Sequence, residues 1–386
     1  MKIAFLCGSL EPWRDGVGDY TRRLGGDLQA AGHQVLLIAL ADPFIDSPVH
    51  LHHEASGVAV LRLPKTLWMA RQLSVVQAAL DNFVADWVSL QLVVYAYEDR
   101  GLLRDLGRQL LRLGGTAKRH VMFHELWIGA AAHCPAKERL VGWLQRQLLL
   151  QTFKLWTPQL MHTSNPVYRQ LLQREGLQAL PLRVPGSIVI ENVSHHIARD
   201  ALVQRLGLTA ERAQTLVLAG VFGAVHPEWT DPVVLRRLQQ SCAAQGRQLL
   251  LLHMGRAGAA GSALWQQLSS TLAGTVELHS LGELPPRELS VVLRGLDMGL
   301  ATTPWALAGK SSTIAALLEH GVPVLVTRND YQLSGQTTPD PDGHPLLMRY
   351  VDALPDVVLQ PDDPRRTPGT GTPISSTLLA DWSAAT

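Results

Sequence analysis

Gly309, Lys310, Ser311, Ser312 and Thr313 stand together in Ala308-Gly-Lys-Ser-Ser-Thr313, ahead of an apolar run that Gly321 stops. Residues of these types can bind an anion. The first turn of a helix carries unpaired N–H donors and a partial positive charge, and Lys310 adds a full one. Residues 322–326, which follow Gly321, suit a strand buried on both faces. An anion is therefore expected at 309–313. The competing reading is a plain capped helix beside a solvated lysine, because Ser and Thr also cap helices that bind nothing. A P-loop is excluded. Pro304 occupies its first glycine position, where backbone freedom is required, and only 76 residues (386 minus 310) follow Lys310.

Two further groups could do chemistry. Asp15-Gly-Val-Gly-Asp-Tyr20 places Gly16 and Gly18 just after an apolar run, where glycine lets the backbone approach a ligand. A dinucleotide fingerprint is disfavoured, since Thr21 stands where its third glycine belongs. His124-Glu125-Leu-Trp127 follows a short apolar strand, and strand ends in parallel sheets face the ligand crevice. A lone histidine is more often structural than catalytic. The pairs His52-His53 and His195-His196 read as loop residues without metal-ligand spacing, and no metal is expected.

The elements that must position these residues alternate along the chain. Strands are expected over 2–7, 34–40, 58–63, 87–95, 120–123 and 159–163, with helices over 20–31, 68–83, 101–113, 136–156 and 166–175. Residues 176–200 are proline-punctuated and contain only a short strand over 187–191 and a polar turn over 192–199. A second set follows, with strands at 215–220, 248–253, 275–278, 298–301 and 322–326 and helices at 232–245, 263–272, 285–294 and 311–320. This is an α/β chain of two parallel-sheet domains. The boundaries are expected at 1–185 and 186–374, with a terminal helix over 375–386 free to return to the first domain.

Length and composition agree. The chain has 386 residues, 46% hydrophobic and 17% charged, which is the make-up of a folded protein of two ordinary domains. Net charge is +1, so nothing draws the whole chain to nucleic acid. Residues 1–185 hold 20 Lys/Arg against 15 Asp/Glu (+5), and the remainder 14 against 18 (−4). Cys7, Cys134 and Cys242 are few and far apart, which suits a reducing cytoplasm. No window has the eighteen or so apolar residues of a membrane span. Arg100, Arg104, Arg108 and Arg112 fall at i, i+4 spacing, Arg100 just before and the other three on the helix expected over 101–113. They would form a basic ridge, solvated or touching anionic lipid at the inner membrane face.

Taken in this order, the motifs resemble those of the GT-B glycosyltransferases, and more narrowly the retaining group called family 4. The resemblance spans nearly the whole chain. It rests on the Gly16/Gly18 loop, on His124 at its strand end, and on 281–328 with Asp297-Met-Gly-Leu300 and the helix at 311. It implies two Rossmann-like domains facing a central cleft, and a nucleotide-diphosphate sugar as donor. Transfer would go to a glycan or lipid-linked acceptor hydroxyl, with retention and without metal or other cofactor. His124 and Lys310 would serve catalysis, while Gly16, Gly18, Arg256, Gly309, Ser311, Ser312 and Thr313 would hold the donor. The chain departs from the family at its paired glutamates, whose positions are Ala308 and Ala316, and at its Arg/Lys pair, where only His226 stands. Those losses keep a second reading open, a non-catalytic partner protein that binds a nucleotide or glycan. A nicotinamide-dependent oxidoreductase is disfavoured, since only the late Asp42 could hold a ribose.

Overall fold

The computed structural model describes residues 1–54, 56–67, 73–350, 358, 360, 362–369 and 371–385. They form two compact units. One comprises Met1–Val184, Gln332–Pro339 and Thr372–Thr386; the other comprises Pro185–Tyr331 and Asp340–Gly371.

The first unit is built on β1 (Lys2–Cys7), in which residues 3–7 have no exposed surface. A strand apolar on both faces belongs at the centre of a covered parallel sheet. β1 accordingly pairs in parallel with β2 (Gln34–Asp42) on one side and β5 (Trp87–Leu92) on the other. With β3 (Val49–His53), β4 (Ala59–Pro64), β6 (Lys118–Phe123), β7 (Leu160–Thr163) and β8 (Leu180–Pro181), the order is β3-β4-β2-β1-β5-β6-β7-β8. Only the edge strand β3 runs antiparallel. The helices α1 (Gly16–Ala30), α2 (Leu73–Phe83), α3 (Val94–Tyr97), α4 (Leu106–Leu110), α5 (Ala136–Trp156) and α6 (Pro166–Arg174) connect the strands. Strand order reverses between β1 and β5, and a crevice at such a reversal, beyond the carboxyl ends, is where α/β sheets bind ligands.

The second unit repeats the plan. α7 (His195–Arg205) and α8 (Ala210–Gln214) precede β9 (Leu216–Phe222), α9 (Pro232–Ala243), β10 (Gln248–Met254), α10 (Gly258–Thr271), β11 (Glu277–Gly282) and α11 (Pro286–Arg294). Then come β12 (Met298–Pro304), α12 (Ser312–Glu319), β13 (Val324–Arg328) and β14 (Leu347–Arg349). The sheet is parallel, in the order β11-β10-β9-β12-β13-β14, and its reversal lies between β9 and β12. Buried Asp297, just before β12, accepts from Leu218 N at 2.7 Å and from Arg199 Nη1 at 2.6 Å, tying α7 and β9 to that reversal.

The chain re-enters the first unit twice. Ala132 N donates to Gln332 O and Ser334 N to Ala130 O, fastening 332–334 to the loop before α5. The C-terminal helix α13 (Ile374–Ala384) buries Trp382 completely against Trp87, the rings stacked at 4.9 Å and 9°. Truncating a buried tryptophan to alanine costs about 3–5 kcal/mol, so α13 is part of that core and not an appendage.

Several expected elements differ. The helix over 101–113 is reduced to five-residue α4, so Arg100, Arg104 and Arg112 lie outside it and the four-arginine ridge does not form. Gly101 takes φ +64, and the Arg100 carbonyl accepts from the buried Gln145 amide at 2.8 Å, which turns the chain away from helix. The polar turn over 192–199 is instead the start of α7, with Ser194 capping Ile197 N. Residues 187–191 join no ladder, although Glu191 N donates to Ser290 Oγ at 2.8 Å. Of the helix over 68–83, residues 68–72 lie outside the described residues. No helix among the described residues is long and apolar enough to cross a membrane.

Candidate functional site

In the first unit the candidate residues gather at the carboxyl ends of β1, β5 and β6. Asp15, not a glycine, caps α1 and accepts from Val17 N at 2.8 Å and Gly18 N at 2.9 Å. The two glycines have different reasons to be there. A side chain at Gly18 would lie 2.7 Å from the Ser9 carbonyl oxygen, so Gly18 lets the helix press on the β1 loop. Gly16 is exposed and a side chain there would meet open space, which leaves its backbone accessible to a ligand. Buried Asp42 holds the same loop from β2. It accepts from Ser9 Oγ and Leu10 N at 3.1 Å and from Arg62 Nε at 2.8 Å. That commitment removes it as a ribose ligand. Burial, together with the charges of Asp42 and Glu125, raises the Asp15 carboxyl above its ordinary range despite the two backbone donors.

His124 extends the ladder beyond β6, its N–H donating to Leu92 O at 3.0 Å. Its ring is buried with the Tyr20 ring edge-on at 4.7 Å, and Nε2 lies 2.9 Å from Gln91 Oε1. Gln91 therefore orients the imidazole. Burial pushes its pKa down to about 3, so the ring is neutral at physiological pH and acts through a lone pair and an N–H, not a charge.

Gln91 was not among the sequence candidates. Its signal is visible in hindsight as a polar i, i+2 pair, Ser89 and Gln91, inside an otherwise apolar strand with no exposed position. Trp13 was missed as well. It is 52% exposed and holds φ +63 in the β1–α1 loop, a backbone conformation that costs a bulky residue about 1–3 kcal/mol.

The second unit assembles its group at the β9/β12 reversal. Gly223 turns the chain after β9 at φ +80, and a side chain there would stand 2.8 Å from the Thr313 methyl. The loop thus lies directly on the first turn of α12. His226 N donates to Thr302 Oγ1 at 3.2 Å, and Arg328 at the end of β13 reaches the same loop. Its Nη1 donates to His226 Nδ1 at 2.7 Å, and its Nη2 pairs with Glu228 and Asp330 at 2.6 and 2.5 Å. Lys310 is close enough for its charge to press on His226, whose pKa is lowered by burial first, then by Arg328, and also by Lys310.

Ser311 is the cap of α12, not its first residue. Its Oγ accepts from Ile314 N at 3.3 Å and lies 2.9 Å from Thr313 Oγ1. Gly309 and Lys310 belong to a 3-10 turn, Trp305–Lys310, that leads into the cap. Lys310, Ser311, Thr313, Gly223 and His226 are thereby brought together. Arg256 is on the loop after β10, its Nε 3.3 Å from Glu283, and its neighbour Gly255 packs against Gly223.

The two positions that correspond by resemblance to the paired glutamates of family 4 are closed. Ala308 and Ala316 are 2% and 0% exposed. The backbone of Gly186 lies so close to Ala316 that a side chain on residue 186 would approach the Ala316 Cα to 2.5 Å. A carboxylate at 316 has no room and no water.

No family model matches the chain, and no curated protein matches it. Solved structures do. A glycosyltransferase from Rickettsia africae ESF-5 is 9% identical, with 87% of this chain and 80% of that one covered, at a TM-score of 0.53. The catalytic domain of starch synthase IV from Arabidopsis thaliana, bound to ADP and acarbose, is 13% identical over 86% and 83%, at 0.51. Anabaena Alr3699/HepE in complex with UDP is 15% identical over 85% and 80%, also at 0.51. The chain has the GT-B fold. Within that fold its two carboxyl-end groups, one per unit, occupy the strand-order reversals at which such sheets bind ligands.

Proposed function

We propose that this GT-B chain is a retaining glycosyltransferase of the family 4 type, moving a sugar from a nucleotide-diphosphate donor to the hydroxyl of a glycan. The observation that carries the reading is the cluster at the β9/β12 reversal, where Lys310, the His226 ring and the capped start of α12 converge. Arg328 can only donate, so His226 Nδ1 accepts from it and the ring proton sits on Nε2. Lys310, that N–H and the α12 amides are then fixed donors for the charge that develops on a leaving diphosphate. These donors meet that charge without a metal.

In the first unit, Gly16 offers an open backbone, Trp13 an exposed ring face for a sugar, and His124 a neutral polar group. The four arginines do not share one helix, so nothing here singles out a lipid-linked acceptor, and a glycan hydroxyl is the acceptor in this reading.

The test is thermal shift and sugar transfer with UDP-, ADP-, GDP- and dTDP-sugars. A donor at a hundredfold its dissociation constant stabilises by about 2.7 kcal/mol. Lys310→Ala should weaken donor binding about tenfold or more, the worth of one charge-assisted hydrogen bond. His124→Ala should lower turnover more than affinity. No stabilisation by any donor overturns the proposal, and binding without transfer or hydrolysis replaces it with a nucleotide-binding partner protein.

A further inference from the structure

A continuous chain of hydrogen bonds crosses the core of the first unit behind His124. His124 Nε2 lies 2.9 Å from Gln91 Oε1, and Gln91 Nε2 is 2.7 Å from Ser89 Oγ. Ser89 Oγ is 2.7 Å from His120 Nδ1, and His120 Nε2 is 2.9 Å from His162 Nδ1. His162 Nε2 ends the chain 3.0 Å from Asp381 Oδ2 on α13. The links pass through β5, β6 and β7, and the side chains of Ser89, Gln91, His120 and His162 are each no more than 1% exposed.

The polarity of this chain follows from its end. A carboxylate can only accept, so His162 must donate from Nε2. Burial keeps the His162 and His120 rings from charging, so each carries one ring proton. With its proton on Nε2, His162 accepts at Nδ1 from His120 Nε2. By the same rule His120 accepts at Nδ1 from the Ser89 hydroxyl, and Ser89 accepts from the Gln91 amide N–H. Gln91 then has only its oxygen to offer, and His124 must donate to it from Nε2. The amide orientation reached by this logic is the one present in the structure, where Oε1 faces His124 and Nε2 faces Ser89. A reversed chain would put the His162 proton on Nδ1 and leave its bare Nε2 against the Asp381 carboxylate, two acceptors with no proton between them.

We propose that Asp381 is a positioning residue for His124, holding it through this relay in the Nε2–H tautomer so that Nδ1 is left as a hydrogen-bond acceptor. Two things follow for the site. His124 takes a ligand group that donates, a hydroxyl or an N–H, and does not take a phosphate or carboxylate oxygen. And α13, which comes from the far end of the chain, sets the chemistry of a side chain at the end of β6 across the width of three strands. The inference concerns the ring itself and stands whether or not the ligand is a nucleotide sugar.

The experiment is a two-bond proton–nitrogen correlation spectrum of the 15N-histidine-labelled full chain at neutral pH, with His120, His124 and His162 assigned by single substitution. All three rings should show a protonated Nε2 and a bare Nδ1. In Asp381→Leu, where the acceptor is gone, and in Ser89→Ala, where the relay is cut midway, His124 should lose its single tautomer and become a mixture. Ser89→Ala leaves the His162–Asp381 contact in place, so His162 should keep its Nε2 proton there. Wild-type His124 protonated on Nδ1, or on both nitrogens, overturns the proposal, as does an unchanged His124 signal in either folded variant. Should Asp381→Leu not fold, the wild-type spectrum and Ser89→Ala decide alone.

Discussion

Arg328 Nη1 lies 2.7 Å from His226 Nδ1, so a guanidinium with no acceptor of its own assigns the imidazole its proton and turns it into a donor at Nε2. The two residues are 102 apart in sequence and meet because β13 and the β9 loop flank the same strand-order reversal. Arg328→Ala should remove a cation that holds the His226 pKa down, so that pKa should rise, while burial keeps it from rising freely. The loss of several charge-assisted bonds should lower stability by about 1–3 kcal/mol. A ring titration followed by NMR and a urea melt check the two halves. A pKa that falls or stays put would remove the proposed coupling.

The glycines of the β1–α1 loop should respond in opposite senses. Gly18→Ala forces a side chain to within 2.7 Å of the Ser9 carbonyl, a backbone atom that cannot yield, and should cost about 1–3 kcal/mol. Gly16→Ala meets open space at the first position of a helix and should stabilise by about 0.4–1 kcal/mol. If Gly16 is where a ligand approaches, the same substitution weakens binding while the fold gains. Paired denaturant melts and donor or acceptor titrations separate the effects.

Placing a glutamate at 316 should fail. Ala316 has no exposed surface and Gly186 packs on its backbone, so Ala316→Glu must move that segment and bury a carboxylate. The expected cost is about 3 kcal/mol or more, from overpacking and desolvation together. Wild-type stability in the variant would mean that the 186 segment is free to retreat.

The protein should lose stability in mild acid. An unfolded histidine takes up a proton near pH 6.5, whereas burial holds folded His120, His124 and His162 below that value, His124 at about 3. Their contribution is therefore complete above about pH 6.5 and is lost as pH falls below it. For His124 the slope is about 1.4 kcal/mol per pH unit, or about 2 kcal/mol between pH 6.5 and 5. His124→Gln should flatten the urea-midpoint profile by that amount. An unchanged slope would show that the ring is solvated.

The Asp15 cap offers a last comparison. Asn caps a helix about as well as Asp but carries no charge to bury. Because burial and two neighbouring carboxylates raise the Asp15 pKa, the folded state holds its proton more readily than the unfolded one, and the charge is a cost that grows as pH rises past the ordinary carboxylate range. Asp15→Asn should leave stability at neutral pH equal or higher, whereas Asp15→Ala should lower it by about 1 kcal/mol. Guanidinium melts of the two variants distinguish cap from charge.

Much of this protein was legible from local pattern alone. Strands such as β1, apolar on both faces, and helices such as α5 and α11 follow from period, caps and glycine or proline stops, which act over a few residues. The same local rules mark Gly16, His124 and the Lys310 turn as candidates, and their order resembles that of the GT-B glycosyltransferases. They fail where distant contacts decide. The helix expected over 101–113 is broken because Gln145, on another helix, captures the Arg100 carbonyl. Two alanines look like simple losses until Gly186 is found against Ala316. The partners that define the chemistry of His226 and His124 are Arg328 and, through five hydrogen bonds, Asp381. Neither is near its histidine in sequence. Which nitrogen of a ring holds the proton depends on what packs against it, and only the assembled sheets bring those groups together.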